Sequence, residues 1–233
     1  VENKALMDSI RELIQSEDRL ENLSKQNELP NLYFCFDRHL FLPLLIKAKN
    51  VEKIIPDALV KSEQDFLEGV KSYYSSHNDR FKNMDLFVLR NIQSSGIGFS
   101  LEWANFYPDF IMWLKSSSKQ MVVFIEPHGL VYSGNFQDDE KINFRDTLKE
   151  IEKEINAKEK REDIMLEYFL ITPTSYTDLI KNSKNPPKKS DFEAKHVLFF
   201  EDSQDGSRYP LFFQDTVRWV DKMFEEIFNS FTK

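Results

Sequence analysis

Residues 106–130, FYPDFIMWLKSSSKQMVVFIEPHGL, constrain the fold of this chain more than any other stretch. Two apolar runs flank a short polar segment, the pattern of a β-hairpin. With Ser116 to Lys119 as a four-residue turn, Lys115 faces Gln120 and Asp109 lies opposite Glu126. Strand side chains alternate between faces. Tyr107, Asp109, Ile111 and Trp113 therefore share one face with Val122, Phe124, Glu126 and His128. Pro108, Phe110, Met112 and Leu114 share the other with Met121, Val123 and Ile125. Both faces are apolar except at one end. Such strands belong at the centre of a sheet covered on both sides, which implies layers of helix above and below.

The rest of the chain supplies those layers. Residues 3–27 carry a broken apolar stripe of helical period, ending before Pro30. Residues 32–46 read as two strands and a turn through Asp37-Arg38-His39. A helix is expected over 61–75, a strand over 85–91, and a long charged helix over 143–160. MLEYFLIT and HVLFF are further strands, and 211–231 is an amphipathic helix. Lys181 to Lys195 holds five Lys against two acids with Pro186-Pro187 inside, a basic surface loop able to meet phosphates. The order is that of an α/β or α+β domain.

At the polar end of the hairpin two carboxylates and an imidazole converge. Like charges directly opposed in a sheet destabilise it. The repulsion must be offset by protonation, a cationic neighbour or a metal ion. Mg²⁺ suits such a site, because it takes carboxylate oxygens, keeps waters and completes its shell with substrate phosphate. The other reading is that Asp109 caps a strand end and Glu126 is paired to a nearby Lys or Arg. Glu63 falls on the apolar stripe of the helix over 61–75, with Leu59, Phe66, Leu67, Val70 and Tyr74. An unpaired carboxylate there is costly, unless the stripe ends at Phe66 and Glu63 is solvated. His39, His77 and His196 have no metal-ligand spacing and read as structural. Gly96-Ile97-Gly98 reads as a turn that brings backbone close to the site.

Pro108-Asp109 followed by Glu126-Pro127-His128 resembles the PD-(D/E)xK nuclease signature, with His128 where that signature carries Lys. The wider context, LRNIQSSGIGF, NFYPDFIMWLK and KQMVVFIEPHGL, resembles the C-terminal nuclease region of bacterial DEAD/DEAH-type helicases related to the type III restriction endonuclease subunit. The similarity runs from FDRHLFLPLL through EPHGL, roughly half the chain. It implies an α/β, restriction-endonuclease-like core: a central mixed β-sheet flanked by helices, whose second and third strands form the active hairpin. N- and C-terminal helices are added to that core. A helical segment over 1–28 then precedes a nuclease-like domain over 29–233, with its core at about 58–172.

The resemblance further implies Mg²⁺-dependent (or Mn²⁺-dependent) endonucleolytic hydrolysis of DNA in a restriction or phage-defence enzyme. Asp109 and Glu126 would hold the metal, and the Pro127 carbonyl could add a ligand. His128 would stand in for the Lys, and Glu63 would be an acid contributed by the preceding helix. The implied partners are DNA, an ATP-driven helicase motor upstream in the same polypeptide, and a modification or specificity subunit. No GxxxxGK[ST] occurs here, so ATP would be used outside this chain. A net charge of −8 fits a domain whose DNA is held by something else. A start at Val1 reads as part of a longer polypeptide. The single cysteine, Cys35, excludes an internal disulfide and points to a reducing, cytoplasmic setting. No apolar run reaches the roughly 18 residues of a membrane span. Two alternatives remain: a catalytically inactive nuclease fold that binds DNA or a partner subunit, and a purely structural interaction domain.

Overall fold

The computed structural model describes residues 32–34, 38, 45–47, 59–91, 96–100, 105–131, 136, 138–200 and 219–231. The helical expectation over 3–27, Cys35, His39 and residues 211–218 of the last expected helix lie outside the described residues.

Strands β1 (Leu32–Phe34) and β2 (Leu45–Lys47) pair antiparallel, Leu32 opposite Lys47. These are the two strands expected near the start of the chain. Helix α1 (Lys61–Ser76) leads through a 3₁₀ turn (Asn78–Phe81) into β3 (Asp85–Arg90). The short strands β4 (Phe99–Ser100) and β5 (Asn105–Phe106) form a separate pair. The central hairpin is β6 (Phe110–Lys115) and β7 (Gln120–Glu126). Helix α2 (Glu140–Glu159) follows, then β8 (Ile164–Thr172), α3 (Tyr176–Ile180), α4 (Lys189–Ala194), β9 (Val197–Phe199) and α5 (Trp219–Phe231).

The five main strands form one mixed sheet in the order β3-β6-β7-β8-β9. β3, β6 and β7 are an antiparallel meander, and β7, β8 and β9 run parallel. The hairpin register is the expected one: Lys115 faces Gln120, and the pairing runs to Phe110 opposite Ile125. The alternation inferred from sequence also holds. Phe110, Met112, Leu114, Met121, Val123 and Ile125 lie in one core with α1 and α5. Ile111 and Phe124 lie in the other, with Phe144 and Leu148 of α2 and Phe192 of α4.

α5 buries Trp219, Val220, Met223, Phe224, Ile227, Phe228 and Phe231, a stripe repeating at three and four residues. Full burial of side chains this size stabilises by about 1.5–3 kcal/mol each. Its Phe224 stacks on Tyr73 of α1 at 4.3 Å. A Cβ at Gly69 would run into the Trp219 ring, so glycine permits the close crossing of the two helices.

Two expectations are corrected. The charged helix starts at Glu140, not 143, because Asp139 caps it by accepting the Ile142 N–H at 3.1 Å. The basic stretch over 181–195 is not simply a loop. It contains α4, which buries Phe192, and its lysines are partly committed: Lys195 to Asp146, and Lys189 over the Phe199 ring. No helix among the described residues is long and apolar enough to cross a membrane.

Candidate metal centre

The site forms where the hairpin strands leave the sheet. Glu126 is the last residue of β7, and Asp109 precedes the first residue of β6. The register that pairs Phe110 with Ile125 brings their side chains together. The Asp109 N–H points at Glu126 Oε2 across 3.3 Å. An oxygen from each carboxylate and a ring nitrogen of His128 all lie within 4.8 Å of one another. Glu126 is buried, Asp109 half-buried and His128 exposed. Pro127, between Glu126 and His128, is buried, and the chain turns there, the His128 N–H donating to the Glu126 carbonyl at 3.0 Å.

Glu63 joins the edge of this group. It sits in the first turn of α1 and is buried, so its place on the apolar stripe is real. Its Oε2 accepts from the Val60 N–H at 2.8 Å and from Arg90 Nη2 at 3.0 Å. Burial pushes the Glu63 carboxyl up, Arg90 pulls it down, and Glu126 pushes it up again. Asp109 responds more strongly. Burial, then the charges of Glu126 and Glu63, push it up to about 7, against the opposing pull of Lys141 and Arg90. Three acids and two cations thus share one electrostatic neighbourhood.

Four residues of this neighbourhood escape the sequence. Lys141, in the first turn of α2, places Nζ 2.8 Å from Glu126 Oε1. Arg90 ends β3 and holds Glu63 from 27 residues away. Asn91 is a clamp. Its amide donates to the Ile97 carbonyl (2.7 Å) and the Pro108 carbonyl (2.8 Å), and accepts from the Ile97 N–H (2.9 Å). Its own N–H donates to the Asp109 carbonyl at 2.8 Å. The turn at Gly96-Ile97-Gly98 is therefore tied to the Pro-Asp segment, as expected for backbone near the site. A Cβ at Gly98 would overlap the Tyr107 ring. The fourth residue, Tyr168 of β8, is fully buried and its hydroxyl has no hydrogen-bond partner among the described residues. Burial raises its pKa far above the usual phenol value, and the charges of Glu126, Asp139 and Asp109 add to that push.

The donor set fits a divalent cation. Two carboxylate oxygens and one imidazole nitrogen within 4.8 Å of one another form a group able to hold a metal ion; the carboxylates suit Mg²⁺ or Mn²⁺, and the imidazole suits Zn²⁺ or Fe²⁺ as well.

The two other histidines among the described residues pack on aromatic rings. His77 stacks on Tyr73 at 4.1 Å, and His196 on Phe169 at 4.4 Å. His196 also lies 3.4 Å from Glu167, a carboxylate on β8 held at 2.6 Å by Arg145 and at 3.3 Å by Lys149. Comparison with family models, curated proteins and solved structures returned no match to this chain.

Proposed function

We propose that this chain is a Mg²⁺-dependent DNA endonuclease domain of PD-(D/E)xK type, part of a helicase–nuclease of the restriction or phage-defence kind. The observation that carries the reading is the pairing of Asp109 and Glu126 across a central hairpin, with His128 beside them. Element order supports it. One helix, an antiparallel three-strand meander, a second helix and a strand parallel to the third follow in the order that the resemblance implies.

Asp109 and Glu126 would hold the ion. Bound Mg²⁺ would polarise a phosphoryl oxygen and acidify a coordinated water. The protein groups prepare the site for it. Burial and two neighbouring acids make ionised Asp109 unfavourable without a cation, so the site selects for positive charge. Arg90 keeps Glu63 from adding its full repulsion. Asn91 fixes the backbone of Asp109 from behind. His128, exposed and next to both carboxylates, is placed to carry a proton between water and substrate.

The test is cleavage of labelled duplex DNA with millimolar Mg²⁺ or Mn²⁺. Asp109→Asn and Glu126→Gln should abolish it. His128→Ala should lower it by about 10²-fold or more. His128→Lys, which restores the residue type of the signature, should keep or raise the rate. One observation favours a second reading: His128 stands where the signature carries Lys, as in a fold that has kept DNA binding without hydrolysis. DNA binding without cleavage under either metal would establish that reading instead.

A further inference from the structure

Lys141 has a place that helix stability does not explain. A cation in the first turn of a helix opposes the macrodipole. Yet α2 carries Lys141 there and aims its ammonium at Glu126, with Nζ 2.8 Å from Oε1. The other oxygen, Oε2, faces the Asp109 N–H. Both oxygens of Glu126 are thus engaged, and a divalent ion can take Oε1 only by sharing it with Lys141 or displacing it. The Lys141 side chain is 38 % exposed against 7 % for Glu126, so the ammonium can leave the carboxylate without losing access to water. His128, the other basic group at the carboxylates, brings a ring nitrogen within 4.8 Å of both but has an exposed side chain, whereas Lys141 Nζ is within direct hydrogen-bond distance of Glu126.

We propose that Lys141 is the exchangeable cation of this site: it and the divalent ion compete for Glu126, and the displaced ammonium meets a non-bridging oxygen of the substrate phosphate. The inference rests on the metal reading above and adds to it a cation that the motif itself does not contain. Lys141 reaches the site from the helix after the hairpin, so its ammonium approaches Glu126 from the α2 side of the sheet.

The experiment is a calorimetric titration of Mn²⁺ into the whole chain. It compares wild type, Lys141→Met, Lys141→Gln, Lys141→Arg and Asp109→Asn, each checked for folding by its melting curve. Loss of the competing charge should tighten Mn²⁺ binding by about tenfold or more in the Met and Gln variants, and Arg should stay near wild type. DNA cleavage should move the opposite way, falling by about 10²-fold in both neutral variants despite the better-filled site. A merely structural Lys141 would weaken both or change neither. If Lys141→Met does not fold, Lys141→Gln, which keeps a donor for Glu126, carries the test. Unchanged or weaker Mn²⁺ binding in the neutral variants, with wild type binding and Asp109→Asn silent, overturns the role of Lys141 alone. Silence in wild type as well overturns the metal reading and this inference with it.

Discussion

Replacing Asp109 by Asn should make the protein more stable at neutral pH while removing its response to divalent cations. The carboxyl moves from its ordinary 3.8 to about 7 on folding, because it is buried beside Glu126 and Glu63. At about 1.36 kcal/mol per unit, three units of displacement cost up to about 4 kcal/mol once the group is ionised. The folded state holds the proton more tightly than the unfolded chain. The contribution of Asp109 is therefore fully favourable below about pH 4 and is lost as pH rises through about 7. Asn has nearly the same shape and no charge, so its variant should lack this decline. For a chain of this size 1 kcal/mol is about 2–4 °C of melting temperature, so the variant should melt up to roughly 8–16 °C higher at pH 8. Melting curves between about pH 4 and 8 measure the difference. Millimolar Mn²⁺ should restore much of the loss in wild type at the alkaline end and do nothing for the Asn variant. Parallel pH profiles for the two proteins would refute the electrostatic account of the site.

Two further outcomes follow from groups outside the carboxylate pair. Burial alone would raise Glu167, but the His196 imidazole, Arg145 and Lys149 bring it down to about 2. Its contribution is present above about pH 4.5 and lost as pH falls toward 2. Arg145→Ala should cost about 3–5 kcal/mol in urea unfolding at neutral pH, with a shallower loss in acid. Asn91→Ala should cost only about 1–2 kcal/mol of stability, since its amide is partly solvated, yet it should weaken Mn²⁺ binding severalfold by freeing the Pro108-Asp109 backbone. Wild-type metal affinity in that variant would remove Asn91 from the site.

The hairpin was legible because strand period and turn length together leave little choice. Once Ser116 to Lys119 turns, the partner of every residue from 110 to 125 follows, and Asp109 meets Glu126. The apolar character of both faces gave the central position of β6 and β7 and so the layered architecture. Glu63 was legible as a charge on an apolar stripe, but its partner was not. Arg90 is 27 residues away, and only the packing of α1 on the end of β3 joins them. Lys141 was hidden by a helix start set one turn too late. Asp139 before Ile142 was the available signal, a capping residue followed by the first buried position. Glu167 inside MLEYFLIT was the other unused signal, because a charge within a buried strand demands a cation nearby. The short pair β4 and β5 and helix α3 carry too little periodicity to be read from sequence.

The central claim is that Asp109 and Glu126 hold one divalent cation between them. Anomalous diffraction from crystals grown with Mn²⁺ tests it most directly. The account predicts that the strongest anomalous peak lies between the two carboxylates and disappears in Asp109→Asn. A map with no peak there, or with its strongest peak elsewhere on the chain, would contradict it.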